Sequence, residues 1–292
     1  MNITYLVFGD QIQNYQQALF SILTLQVQQQ SSDRFIVVTD YPEFFKCLQD
    51  RVTIIEINAD TLREWEGPHK FFWRVKIKAL LTVADRWKDT SILYLDSDTF
   101  LYGSLDNLRH ELDRGQNIMH LNEGNMRELK TKTERLMWSQ IKHKTYGGVP
   151  MDDTKCMWNA GAIGVSKLDK TSLELALQIC DEMCADKVTR RLIEQFAFSV
   201  ALNEYTPLKA ADDEIGHYWG NKGQWNTLIS NFFLKHFFTG KSVDVLLSEI
   251  EQLDLEQYPI RLKVSNTRLR LQKKLVSLFP DKQPVYVKKI IN

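Results

Sequence analysis

A chain of 292 residues can form one large domain or two modest ones, and its 43 % hydrophobic and 25 % charged residues are those of an ordinary globular protein. Lys+Arg and Asp+Glu balance at 37 each, so no global field attracts nucleic acid, and any anionic ligand must be met locally. "MNITYLVFGD" lacks a basic, apolar leader, and no window approaches the roughly 18 apolar residues of a membrane span, so a cytoplasmic location is expected.

The first half alternates strand and helix. "ITYLVFG" reads as a strand, and Tyr15, Ala18, Leu19 and Ile22 trace a helix after it. "RFIVVTD" and "VTIIEIN" (52–58) are β-branched strands. "HKFFWRVKIKALLTVADRW" predicts a helix with Phe72, Val75, Ala79 and Val83 on one side, and the strand "SILYL" follows. This βαβα order predicts an α/β fold with a mostly parallel sheet covered by helices on both faces.

The second half is less regular. Residues 121–156 are polar and mixed and read as an excursion over the sheet. "NAGAIGV" (159–165) reads as a strand, helices are expected over 171–186 and 189–203, and "KAADDEIGHYWGNKGQWN" reads as an acidic loop. Leu173, Ala176, Leu177, Cys180 and Cys184 share one helical face. With no second Cys or His pair beside them, Cys180 and Cys184 read as reduced core thiols. Beyond residue 260, Arg268, Arg270, Lys273, Lys274, Lys282, Lys288 and Lys289 stand against Asp281 alone. This divides the chain into a domain at 1–260 and a basic appendage at 261–292. The appendage, with Leu271, Leu275, Leu278 and Phe279 as its apolar side, is either a peripheral contact with anionic lipid or a docked helix.

The chemistry concentrates in "ILYLDSDTF" (92–100), where a buried strand ends in Asp96 and Asp98. Ligands of open α/β sheets gather at the carboxyl ends of strands. Alternation puts both acids on one side of the chain if it stays extended. Two carboxylates that close repel each other unless a cation lies between them, and a hard divalent ion, Mg²⁺ or Mn²⁺, shared with substrate phosphates meets that need. The alternative is a strand end whose acids accept turn N–H groups and do no chemistry. A phosphatase of the haloacid-dehalogenase type ends its strand in D-x-D-x-T. Here Phe100 holds the last position and Thr99 comes one place early.

Five segments in order point elsewhere: "WRVKIKALL", "YLDSDTFLYGSLDNL", "WNAGAIGV", "EQFAFSVAL" and "HYWGNK". Together they resemble the retaining nucleotide-sugar glycosyltransferases of the GT-A fold, the family of glycogenin and the bacterial lipooligosaccharide galactosyltransferases. The resemblance implies transfer of a hexose from a nucleoside-diphosphate sugar, a UDP-sugar in most of the family, to a glycan or glycolipid acceptor. It implies Asp96, Asp98 and His217 as ligands of Mn²⁺ or Mg²⁺, with Asp96 and Ser97 also facing the donor. It implies Arg74 as the donor-gripping arginine, with Lys76 and Lys78 competing for a neighbouring role. Asn159, Ala160 and Gly161 would meet the sugar, and Phe8, Gly9 and Asp40 would border the base. Glu194-Gln195 stands where the family has Asp-Gln near the reacting carbon. Lys222 would neutralise the leaving diphosphate, although the family has one more residue before its lysine and a Pro-Trp after it. An inverting enzyme would instead need a base, with Glu123, Asp212, Asp213 or Glu214 as candidates, and a catalytically dead binding module is the third alternative.

Overall fold

The computed structural model describes residues 1–169 and 171–262, together with 268, 271, 274, 275 and 278. Residues 1–260 form one compact unit and the remainder a second. In the first half the order is β1 (Asn2–Val7), α1 (Ile12–Gln26), β2 (Arg34–Thr39), β3 (Thr53–Glu56), α2 (Ala59–Glu66), α3 (Arg74–Arg86), β4 (Ile92–Leu95), β5 (Thr99–Leu101) and α4 (Leu105–Asp113). The second half runs β6 (Ile118–Asn125), α5 (Lys132–Ile141), β7 (Thr145–Tyr146), β8 (Val149–Pro150), β9 (Cys156–Val165), α6 (Thr171–Ala185), α7 (Ile193–Ala201), β10 (Lys209–Ala210), β11 (Ile215–His217), α8 (Lys222–Thr239) and α9 (Val243–Glu251).

Among the described residues, seven strands form one sheet in the order β10-β6-β9-β4-β1-β2-β3. Every pairing in it is parallel except the two made by β9, which runs against β4 and β6. The expected mostly parallel α/β sheet is therefore present. Its central strands β1, β2, β4 and β9 are buried on both faces, as strands between helical layers must be. Alternation sorts the side chains: Ile92 and Tyr94 enter the apolar layer that holds α3, α6 and α7, while Leu93 and Leu95 enter the layer that holds α1. Cys180 and Cys184 are buried in the first layer as unpaired thiols.

Three expectations change. The helix expected over 69–87 begins only at Arg74, because residues 67–73 fold into turns that include Gly67 and Lys70 at positive φ; Phe72 consequently lies exposed rather than with Val75, Ala79 and Val83. The polar excursion of 121–156 contains β6, whose outer half is solvated, and α5, opened by a reciprocal capping box between Thr131 and Glu134. The loop of 209–226 contains β11 and the start of the 18-residue helix α8. That helix carries apolar residues around most of its girth, with Trp225 and Ile229 buried but Phe237 and Phe238 exposed, so its period is faint in sequence.

No helix among the described residues is long and apolar enough to cross a membrane. Of the appendage, Leu271, Leu275 and Leu278 are exposed. Arg270, Lys273, Phe279, Asp281, Lys282, Lys288 and Lys289 lie outside the described residues.

Candidate metal and donor site

Strand β4 does not stay extended through its acids. It ends at Leu95, and residues 97 and 98 make a turn closed by Thr99, whose hydroxyl donates to the Asp96 carbonyl at 2.8 Å. The turn, rather than period-two alternation, brings the carboxylates of Asp96 and Asp98 together. Strand β11 pairs antiparallel with β5, setting His217 opposite Thr99, and the Tyr218 amide donates to the Asp98 carbonyl at 3.1 Å. One ligand atom from each of Asp96, Asp98 and His217 lies within 4.8 Å of the others. Two oxygens and an imidazole nitrogen at that span suit a divalent metal, and the donor set fits Mn²⁺ or Mg²⁺.

The His217 ring is fixed from behind. Its Nδ1 lies 3.0 Å from Asn159 Oδ1, an oxygen that also accepts the Gly161 amide at 3.0 Å. An amide N–H can only donate, so that atom of Asn159 is the carbonyl, and Nδ1 of His217 must carry hydrogen. In the neutral ring the lone pair is then on Nε2, which faces Asp98 Oδ2 at 3.5 Å. Gly161 is small for the same reason: a Cβ there would lie 2.1 Å from His217 Nδ1. Gly161 thus leaves room for the imidazole.

Lys222 opens α8 and places its ammonium 2.9 Å from Asp98 Oδ2. The helix start is anchored by Trp225, stacked on Tyr218 at 4.4 Å and on Phe100 at 4.5 Å, with its indole N–H on the Pro259 carbonyl at 3.2 Å. Trp225 thus fixes the backbone from which Lys222 reaches. Burial works against a charge on Asp98, but His217 in its protonated form and Lys222 outweigh it and hold the carboxyl well below its usual range.

Lys76 lies on the other flank. Its ammonium is 3.0 Å from Asp96 Oδ1, 3.1 Å from Glu194 Oε1 and 3.3 Å from the Ala160 carbonyl. Tyr94 adds its hydroxyl to Asp96 at 2.9 Å. Burial alone would lower the Lys76 pKa, yet the two carboxylates raise it far above the ordinary value. Burial raises that of Glu194, against the pull of Lys76.

These groups flank a cavity of about 250 Å³ lined by Phe8, Asn14, Phe72, Trp73, Lys76 and Tyr94, with Asp96, Ser97, Asp98 and Lys222 at its polar end. Phe8 and Phe72 meet at 5.5 Å between ring centres. The cavity is aromatic at one end and charged at the other, a division that suits a base and its phosphates.

Other expected residues are engaged by protein partners. The Arg74 guanidinium is bidentate on Asp181 of α6, at 2.6 and 2.9 Å, and donates to the Trp65 carbonyl at 2.8 Å. Residues two apart on a helix are about 200° apart, so Arg74 and Lys76 cannot both face the cavity. Lys78, one turn beyond Arg74, is not among the residues lining it. Gly9 and Asp40 join strand ends: the Gly9 amide donates to Asp40 at 3.0 Å and Tyr15 to the same carboxylate at 2.7 Å. Ser97 donates to Gln17 at 3.3 Å. Gln195 donates to Glu123 at 2.9 Å rather than joining Glu194. Glu214 accepts from the Ser104 amide and from Asn107 at the start of α4, a structural use for one of the candidate bases.

Sequence reasoning missed three neighbours. Tyr94 lies two residues before Asp96 on the same strand face, a signal that was available. Glu123 was considered only as a base. His120 carried no signal; it packs edge-on to His217 at 5.2 Å and donates from Nε2 to the Ile215 carbonyl at 2.9 Å. Burial and the neighbouring His217 lower its pKa to about 4.

No protein-family model and no curated protein matches the sequence. Among solved structures, the chain is similar to the galactosyltransferase LgtC in complex with donor and acceptor sugar analogs. There the identity is 14 % over 69 % of this chain and 70 % of that one, with a TM-score of 0.44. It is similar to an active-site mutant of LgtC at 14 % identity, over 72 % of each chain and with a TM-score of 0.44. It is also similar to the apo form of mouse xyloside xylosyltransferase 1, at 11 % identity over 72 % of this chain and 85 % of that one, with a TM-score of 0.44.

Proposed function

We propose that this protein is a metal-dependent glycosyltransferase that moves a hexose from a nucleoside-diphosphate sugar, UDP-linked, to a hydroxyl of a glycan or glycolipid, with retention of configuration. The observation that carries this reading is the convergence of Asp96, Asp98 and His217 with Lys222 at the charged end of an aromatic-walled cavity. Asp96, Asp98 and His217 would hold Mn²⁺ or Mg²⁺, which supplies Lewis-acid neutralisation of the departing diphosphate.

The remaining work falls to the chain's own groups. Lys222 holds a positive charge where negative charge grows on the leaving group, and its helix adds the partial positive charge of its N-terminus. Phe8 and Phe72 offer faces on which a nucleobase stacks. Lys76 pairs with Asp96 and fixes Glu194 beneath the site. Glu194 is so tied to Lys76 that a front-face route, in which the departing phosphate takes the acceptor's proton, suits the site better than attack by Glu194. Gln195 remains as a polar contact beside the reacting sugar.

The decisive experiment is a screen of nucleotide sugars for release of nucleoside diphosphate with Mn²⁺ and Mg²⁺, repeated on Asp98→Ala. Metal-dependent release that falls at least about a hundredfold in the variant is expected. A wild-type protein that neither binds nor hydrolyses any nucleotide sugar overturns the proposal.

A further inference from the structure

We propose that Glu123 is a positioning residue that sets how His217 and Gln195 present themselves to the site. This rests on the glycosyltransferase reading for what those two residues meet, but not for the geometry itself. The β6–β9 pairing slips twice, between Met119 and Leu121 and again between Asn122 and Gly124, where Gly124 adopts φ +115°. The second slip leaves Glu123 out of the ladder. Bulges of this kind re-aim a side chain, and this one aims a carboxylate at two amides.

Glu123 Oε1 accepts from Asn159 Nδ2 at 3.1 Å, and Oε2 accepts from Gln195 Nε2 at 2.9 Å. An ionised carboxylate only accepts, so each amide must turn its NH₂ toward it and its oxygen away. For Asn159 the oxygen then meets the Gly161 amide and His217 Nδ1, so Glu123 and the Gly161 backbone hold one orientation from its two ends and together fix the tautomer whose free lone pair faces Asp98. For Gln195 the carbonyl end is left as an acceptor for a hydroxyl donor. One exposed acid thereby orients a buried imidazole through Asn159, and a polar helix residue directly. A mere staple between β6, β9 and α7 would hold the elements together without requiring either amide orientation.

The test permutes donors and acceptors while keeping shape. Full-length wild type, Glu123→Ala, Glu123→Gln and the double variant Glu123→Gln/Gln195→Glu are labelled with ¹⁵N-histidine. The His217 tautomer is read by NMR, Mn²⁺ affinity by calorimetry, and Tm is recorded for each. Wild type shows the Nδ1–H form. Glu123→Ala mixes the tautomers and weakens Mn²⁺ binding about tenfold, the usual effect of losing an outer-shell partner. Glu123→Gln sets its NH₂ against one of the two amide donors, so Asn159 or Gln195 must reverse its amide, and both readouts fall between wild type and Glu123→Ala. The double variant recovers both readouts, because the new amide accepts from Asn159 while donating to the new carboxylate at 195. Unchanged tautomer in Glu123→Ala, or a double variant no better than Glu123→Gln, overturns the inference. If no protein in the series takes up Mn²⁺, the metal-dependent reading falls, and the tautomer still decides the role of Glu123.

Discussion

Lys76 meets two carboxylates, a backbone carbonyl and the face of Tyr94, whose ring centre lies 5.1 Å from the ammonium. Its side chain is 11 % exposed and that of Glu194 7 %, so water cannot replace either partner. Lys76→Met should therefore cost about 3–5 kcal/mol, the penalty for leaving buried charge uncompensated, measurable by urea denaturation. Glu194→Gln should cost less, because Asp96 remains for the ammonium. A loss below about 1 kcal/mol in Lys76→Met would show that the carboxylates are hydrated after all. The resemblance implied Arg74 for the donor and left Lys76 and Lys78 competing beside it; helix rotation turns Arg74 toward α6 and Lys76 toward the cavity, and no local pattern announces this because Asp181 is 107 positions away. Asp98 and His217, by contrast, were legible, because few buried strands end in paired acids and the histidine stands in a glycine-bearing segment.

At the scale of elements, β9 does two jobs through two consecutive small residues. The Ala160 carbonyl accepts from Lys76, and bare Gly161 supports the His217 ring. Gly161→Ala should displace that ring, since the new methyl would overlap it, and lower Mn²⁺ affinity at least about tenfold while the global fold persists. Calorimetric titration with Mn²⁺, alongside an unchanged far-ultraviolet circular dichroism spectrum, checks this. Strands β1, β2, β4 and β9 were readable because buried parallel-sheet strands are dense in apolar residues. Helix α8 was not readable, since its buried and exposed faces are both apolar, and the side chain of its N-cap Asn221 makes no capping hydrogen bond. Missing it turned Lys222 into a loop residue. The anchoring stack of Phe100, Trp225 and Tyr218 joins residues whose proximity no local pattern announces.

Across the whole molecule, Asp33 joins the turn before β2 to α4. Its buried carboxylate accepts from the Gln30 amide at 3.0 Å, pairs with Arg109 and meets the terminal ammonium at 3.4 Å. Burial works to raise its pKa, but the Arg109 and Gln30 hydrogen bonds prevail and leave it below the ordinary 3.8. A depressed carboxyl gives stability that is complete above the unfolded value and lost as pH falls through the folded one. Wild type should therefore lose stability on acidification from pH 5 toward pH 2. Asp33→Asn, less stable at pH 7, should lose less over that range, as read from denaturation midpoints. Equal slopes would remove Asp33 from the account. This tie was not legible, because an Asp in "SSDRF" reads as an ordinary turn residue. The mostly parallel sheet was, since βαβα order dictates it.

The two-stranded ribbon of β5 and β11 has a consequence for synthesis. It pairs residues 99–101 with 215–217, so the acids leave the ribosome more than a hundred residues before their histidine. Through that interval Asp96 and Asp98 have neither the imidazole nor Lys222 beside them. Closing so long a loop is a late event in folding. A nascent or truncated chain ending before 217 carries Asp96 and Asp98 without the imidazole, so the three candidate ligands come together only as the domain nears completion.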